Sequence, residues 1–123
     1  KLCRKAIEKI YPAAKITEFT RAQDGLDHII STYTNTAPGP AKAILLLDIM
    51  MPIMNAWDFL DAFDKLGDHI KNQISIYILS SSVSKADMAR AQSNKYVEYY
   101  LIKPLTKESL KLIVHVQNKR LNA

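Results

Sequence analysis

The sequence predicts a single α/β domain built around a doubly wound parallel sheet. Apolar runs of strand length alternate with segments of helical periodicity, a pattern typical of parallel strands joined by right-handed crossovers. The run Ala43–Leu47 is apolar on both faces, as expected for a buried parallel strand covered by helices on each side. The length of 123 residues matches one domain, and no linker, internal repeat or low-complexity tract divides it.

The first half of the chain contains five predicted elements. Apolar positions spaced by three and four residues predict helices over Lys1–Ile10 and Gln23–Thr34. The segment Ala14–Thr20 has the irregular pattern of an edge strand, whereas Ala43–Leu47 has that of a buried one. A helix over Met54–Leu66 follows, and we expect the glycine after it to end that helix.

The second half of the chain contains two more strands, each followed by a helix. The run Ile74–Leu79 is rich in β-branched residues and predicts a strand. Ser84, with an aspartate three positions later, predicts the capped start of a modest helix that ends near residue 93. The last strand is Val97–Ile102, and Thr106 is expected to cap a final helix that runs to about residue 121.

The composition excludes several classes of protein. The net charge is +5, but the 17 lysines and arginines are spread along the chain, so we expect no direct binding of nucleic acid. No apolar run approaches the roughly 18 residues of a membrane span, and no signal peptide is visible. The single cysteine, Cys3, cannot form an internal disulfide, which fits a cytoplasmic location.

An acid, a hydroxyl and an amine close three successive predicted strands. Asp48 follows Ala43–Leu47, Ser80 follows the second run, and Lys103 follows the third. The carboxyl ends of parallel strands meet at one edge of the sheet, where open α/β folds place their ligand sites. We therefore expect these three side chains to lie close together. A carboxylate there can serve as a nucleophile for phosphoryl transfer, with a cation and a hydroxyl to stabilise the charge of the transition state.

Three motifs resemble the receiver domain of bacterial two-component response regulators. They are Leu47-Asp48-Ile49-Met50-Met51-Pro52, Ile78-Leu79-Ser80-Ser81-Ser82 and Tyr100-Leu101-Ile102-Lys103-Pro104. The resemblance implies a flavodoxin-like sheet and a phosphoacceptor role for Asp48. It further implies that Lys103 pairs with the phosphoryl group, that Ser80 is the switch hydroxyl, and that Tyr100 is the aromatic switch residue.

The resemblance also implies a Mg²⁺ cofactor. Asp48 and the backbone carbonyl of Met50 would be two of its ligands, and hard oxygen ligands suit this ion. Met50 and Ser82 match positions that tune the lifetime of the phosphorylated state in such domains. By the same resemblance the Lys103–Pro104 peptide bond would be cis.

One part of the family pattern has no match in this sequence. The family sheet has the strand order 2-1-3-4-5, and here the first strand and the acidic pair after it are absent. That strand would lie between Ala14–Thr20 and Ala43–Leu47, and the acidic pair would bind Mg²⁺. We therefore expect residues 1–123 to be a single receiver domain that is incomplete at its N-terminus.

The function expected from the resemblance is that of a signalling receiver rather than an enzyme, with self-phosphorylation and autodephosphorylation as its own reactions. Its partners would be a sensor histidine kinase or phosphotransfer protein and a downstream protein target, and a homodimer is compatible with the pattern. The alternative is a receiver-like module that binds partners without phosphorylation. A haloacid-type phosphatase needs a second aspartate where Met50 stands, and the three glycines argue against a flavodoxin-like cofactor site.

Overall fold

The computed structural model describes residues 22–35, 43–48, 55–81, 84–103 and 106–121, with side chains in the last range as far as Val116. The predicted helix Lys1–Ile10 and the predicted strand Ala14–Thr20 lie outside these ranges, so neither prediction is tested.

Helices and strands alternate through the described residues, as the sequence predicts. In chain order they are α1 Ala22–Tyr33, β1 Ala43–Leu47, α2 Ala56–Asp64, α3 Asp68–Lys71, β2 Ile74–Ser80, α4 Lys85–Ser93, β3 Val97–Ile102 and α5 Lys107–Leu121. Across these ranges, no helix is long and apolar enough to cross a membrane.

The three described strands form a parallel sheet in the order β1-β2-β3. This is the neighbour order expected for the last three strands of a doubly wound sheet, and the predicted fold class is confirmed. Every residue of the central strand β2 is buried. On one face of the sheet, β2 packs with the buried apolar residues of α1 and α2; on the other face, it packs with those of α5. The central strand of the sheet therefore packs against a hydrophobic core on both faces.

The two predicted helix caps, Ser84 and Thr106, are confirmed by their hydrogen bonds. The Ser84 hydroxyl accepts from a backbone N–H at the start of α4, and the Thr106 hydroxyl accepts from the N–H of Ser109 at 3.1 Å. At the start of α2, the Asn55 side chain accepts from the Asp58 N–H at 2.9 Å, while the Asp58 carboxylate accepts from the Asn55 N–H. These bonds satisfy backbone donors that a helix start otherwise leaves without partners.

The helix predicted over Met54–Leu66 is shorter than expected. It ends at Asp64, and Gly67 does not stop it but is the N-cap of the short helix α3, which the sequence analysis did not predict. Ile70 of α3 is buried in the core and anchors this turn. Four residues are too few to display a helical period, so pattern analysis has no means of detecting such an element.

The expectation that β1 is buried on both faces is wrong for the face that carries α5. Ile44 is 47% exposed, whereas Leu47 at the end of the strand is buried. In the described part of the chain, α5 covers Tyr77, Leu79 and Leu101 on that face, and β1 has a neighbouring strand on one side. Ile44 is as apolar as its neighbours but is much more exposed. A continuous apolar run therefore does not by itself predict how deeply each of its residues is buried.

Candidate functional site

The three predicted site residues lie at one edge of the sheet. Asp48 directly follows β1, Ser80 is the last residue of β2, and Lys103 directly follows β3. The parallel register pairs Leu47 with Ile78 and Ser80 with the last residue of β3, so the carboxyl ends of the strands are aligned. The expectation that strand order would bring an acid, a hydroxyl and an amine to one edge is thus met by the backbone.

Asp48 and Lys103 form a direct ion pair across this edge. The Nζ of Lys103 donates to Oδ2 of Asp48 at 2.5 Å, although the two residues are 55 positions apart in the chain. The side chains remain 37% exposed for Lys103 and 32% exposed for Asp48. A reactant in solution can therefore reach the carboxylate while the ammonium is already in place beside it.

Ser80 is tied to the same edge by the backbone of Lys103. The N–H of Lys103 donates to the Ser80 carbonyl oxygen at 2.7 Å, which extends the pairing of β2 and β3 by one bond. The Ser80 side chain is almost fully buried, at 2% exposed. The sheet therefore fixes the backbone position of Ser80 at this edge.

Tyr100 lies on the same face of the sheet as Ser80. It pairs with Ile78, two residues before Ser80 along β2, and it is half-buried against the core formed with α1 and α2. Side chains two residues apart on a strand share a face, so the hydroxyl and the aromatic ring predicted to act together are neighbours on one surface. The switch roles that the resemblance implies for Ser80 and Tyr100 stay predictions.

Three sequence-based predictions for this site lie outside the described residues. They concern Met50 as a backbone metal ligand and lifetime residue, Ser82 as a lifetime residue, and the peptide bond between Lys103 and Pro104. The segment that carries Met50 is bounded by Asp48 on one side and by Asn55, the capping residue of α2, on the other.

The described residues do not by themselves fit a magnesium site. No group of three or more His, Cys, Asp or Glu side chains gathers among them, and the carboxylate at the edge is paired with an ammonium. Mg²⁺ prefers six oxygen ligands in octahedral geometry, and Asp48 supplies part of such a set.

A groove beside Tyr100 is one feature that the sequence analysis missed. It has a volume of 270 Å³ and lies between α4 and β3, lined by Met88, Ala91, Gln92, Val97, Glu98, Tyr99 and Tyr100. The polar sequence of α4 could have indicated this groove, because Ala91 is the buried residue of the helix. A helix with so little apolar surface cannot cover the strand beside it completely.

Known proteins match this chain in structure but not in sequence searches. No protein-family model matches the chain, and no curated protein matches it. Solved structures do match, among them a two-component response regulator from Cytophaga hutchinsonii with a TM-score of 0.81 and 29% identity, covering 99% of this chain and 87% of that one.

Two further solved structures have the same fold at lower identity. A response regulator receiver protein from Dyadobacter fermentans has a TM-score of 0.80 and 23% identity, covering 94% of this chain and 85% of that one. A response regulator receiver domain protein from Methanospirillum hungatei has a TM-score of 0.68 and 22% identity, covering 98% and 89%. The resemblance found in the sequence is confirmed: the chain has the flavodoxin-like fold of two-component receiver domains.

Proposed function

We propose that residues 1–123 form one phosphoacceptor receiver domain of a two-component system, in which Asp48 takes a phosphoryl group from a histidine kinase or phosphotransfer protein. The observation that supports this most strongly is the ion pair of Asp48 and Lys103, formed across the sheet edge with both side chains partly exposed. The fold shared with response regulators supports the same assignment. The protein acts in the cytoplasm as a signalling receiver, and its own reactions are self-phosphorylation and autodephosphorylation.

The transfer uses the carboxylate as a nucleophile. An Asp48 oxygen attacks the phosphorus of a phosphohistidine, and an O–P bond forms as the N–P bond breaks. The bonding electron pair stays on the imidazole nitrogen, which takes a proton from solvent. Lys103 balances the negative charge that gathers on the phosphoryl oxygens, from a position it already occupies in the unmodified protein.

The phosphoryl group then acts through its charge. It adds roughly −1.5 to −2 charges at a sheet edge whose geometry is fixed by buried strands. Ser80 supplies a hydroxyl to the new oxygens, and Tyr100 on the same face moves with it, which changes the affinity for a downstream protein target. Met50 and Ser82 set the lifetime of the modified state. A homodimer is one form that this change in affinity can take.

A second function, a receiver-like module that binds its partner without phosphorylation, is favoured by a different observation. Among the described residues, no group of three or more His, Cys, Asp or Glu side chains is placed to hold a metal ion. Mg²⁺ is the cofactor that the phosphoacceptor function needs, and its remaining ligands would come from acidic residues outside those ranges. Phosphorylation therefore separates the two functions.

The test is intact-mass measurement after incubation with Mg²⁺ and a small phosphodonor. A single phosphoryl addition is expected in the original protein and in Asp68→Asn, which alters a carboxylate that is 91% exposed on α3. Asp48→Asn should show none. If no addition occurs in protein whose circular dichroism shows that it is folded, the phosphoacceptor function is wrong and the phosphorylation-independent module replaces it.

A further inference from the structure

Helix α4 is packed on the sheet unevenly along its length. Lys85 and Ala86 at its start are exposed, and Met88 in the middle is half-buried. Ala91, one turn from the end, is fully buried against the core. Most of the stability of a helix in a protein comes from packing of its apolar face, so the start of α4 is held less firmly than its end.

The end of α4 passes directly into β3 through a tight turn. The Asn94 N–H donates to the Ala91 carbonyl oxygen at 3.1 Å, and the Val97 N–H donates to the Asn94 carbonyl oxygen at 3.2 Å. The Asn94 side chain accepts from the Tyr96 N–H at 2.9 Å. Asparagine stabilises such turns by bonding its own backbone two residues on, so Tyr96 has a fixed position relative to the helix end.

Tyr96 joins this turn to α2 and α3. Its hydroxyl donates to the Asp64 carboxylate at the end of α2, and Lys71 of α3 donates through Nζ to the Tyr96 hydroxyl at 3.3 Å. Lys71 also donates to the Asp64 carbonyl oxygen at 3.0 Å. The Tyr96 ring meets the buried Phe63 ring edge to face, with 5.3 Å between centroids. We call these four residues, Asp64, Phe63, Lys71 and Tyr96, the Tyr96 junction.

The charges of the Tyr96 junction fit its hydrogen bonds. The hydrogen bond from Tyr96 lowers the pKa of Asp64, with smaller contributions from Lys95 and Lys71. The pKa of Lys71 shifts in the opposite direction: its hydrogen bond with Tyr96 raises it. Both groups are therefore held in their charged forms, and the hydroxyl between them serves as both donor and acceptor.

Two further features of α4 are compatible with movement of the helix. The 270 Å³ groove runs along the helix from Met88 to Gln92, between it and β3. On the side toward α2, the exposed Arg90 guanidinium stacks over the buried Trp57 ring at 4.6 Å, a contact that tolerates sliding because the ring face is broad.

From these contacts we infer that the Tyr96 junction is a hinge that fixes the end of α4, while the start of α4 swings toward or away from the sheet edge. Tyr96 and Lys71 are thereby positioning residues for the helix. The N-cap of α4 is Ser84, four positions after Ser80, so the moving end is the one next to the phosphoacceptor edge. The hinge exists in the unmodified protein, and its use in signalling rests on the proposed function.

The test is residue-resolved amide hydrogen exchange measured by NMR on the unphosphorylated chain. Uneven packing alone makes the two ends of α4 differ in exchange, so the diagnostic result is the change of this difference in Tyr96→Phe. We expect the hydrogen-bonded amides of residues 88–90 to exchange about tenfold faster than those of residues 92–94. In Tyr96→Phe, which keeps the ring and removes the hydroxyl, exchange at residues 92–94 should rise about three- to tenfold and the asymmetry should shrink.

Two comparisons keep this result interpretable. The amides of the central strand, residues 76–79, report global stability, and in Tyr96→Phe their exchange should accelerate less than that of residues 92–94. Tyr99→Phe removes a hydroxyl from the neighbouring strand and should leave the asymmetry intact. Equal exchange at the two ends of α4 in the original protein, or an asymmetry untouched by Tyr96→Phe, overturns the hinge.

A second arm separates the hinge from the proposed function. With Mg²⁺ and a small phosphodonor, intact mass reports whether Asp48 is modified, independently of exchange. An asymmetry that shrinks in Tyr96→Phe, without modification of Asp48, supports the hinge and refutes the phosphoacceptor role. Modification with equal exchange at both ends of α4 supports the phosphoacceptor role and refutes the hinge.

Discussion

Replacing Lys103 by glutamine should slow phosphorylation of Asp48 about thirtyfold. The Nζ lies 2.5 Å from the carboxylate, so the ammonium is about 4 Å from the charge that develops on a transferring phosphoryl group. At that separation a unit charge pair is worth about 1 kcal/mol in water and about 4 kcal/mol near a protein surface. Both side chains are about one-third exposed, which places the stabilisation near 2 kcal/mol, or about thirtyfold in rate.

The assay is the initial rate of phosphoryl addition from a small phosphodonor, followed by intact mass. Lys107→Gln is the matched control, because it removes an exposed lysine at the start of α5, and its rate should stay within about twofold of the original. Lys103→Arg keeps the positive charge and should recover part of the rate. If folded Lys103→Gln is phosphorylated as fast as the original protein, the ammonium does not stabilise the transition state and the electrostatic reasoning is refuted.

Three predictions concern stability. Ser75→Ala should raise the thermal midpoint by about 3–5 °C, because the buried Ser75 hydroxyl has no hydrogen-bond partner and its removal relieves about 1 kcal/mol; a lower midpoint contradicts this. Phe63→Ala should lose about 3–5 kcal/mol in urea unfolding, since this buried ring packs on Phe59 and Tyr96, and a loss under about 1 kcal/mol would show that the ring packs poorly. The Tyr96 hydrogen bond lowers the pKa of Asp64 in the folded protein. The ionised carboxylate therefore stabilises the fold at pH values above its ordinary pKa of 3.8, and this stabilisation is lost as the pH falls through the lower pKa of the folded state. The difference in thermal midpoint between the original protein and Tyr96→Phe should therefore narrow in acid, and a difference that stays constant with pH would exclude the Asp64 bond as its source.

The strands were predicted more accurately than the helices. The bounds of Ala43–Leu47 and Val97–Ile102 agree with the sequence analysis, because each is a short apolar run flanked by polar or turn residues. The helix predicted over Met54–Leu66 was too long at both ends, since periodicity reports an apolar face and not the hydrogen bonds that end a helix. Where a capping residue such as Ser84 was recognised, the predicted start of the helix agrees with the structure.

The site was predictable where topology fixes it. Asp48 and Lys103 are far apart in the chain, but parallel strands deliver their ends to one edge, and the ion pair follows from that rule. The Tyr96 junction was not predictable in the same way. Tyr96 is 32 positions from Asp64 and 25 from Lys71, and all three stand at helix ends or in turns, where no period relates them. Such contacts become visible when helices α2 and α3 and the turn after α4 have been placed in three dimensions.

The sheet edge that carries Asp48 and the Tyr96 junction lie at opposite ends of α4. The helix leaves β2 at the edge that carries Ser80 and returns to β3 beside Tyr96. Its nine residues make a lever about 13 Å long, so a small rotation about the junction gives its largest displacement at Lys85, next to the added charge. Arg90, near the fixed end, moves least and can keep its stacking on Trp57 throughout. A partner that senses phosphorylation should therefore contact the first turn of α4, and substitutions there should change its affinity more than substitutions near Arg90.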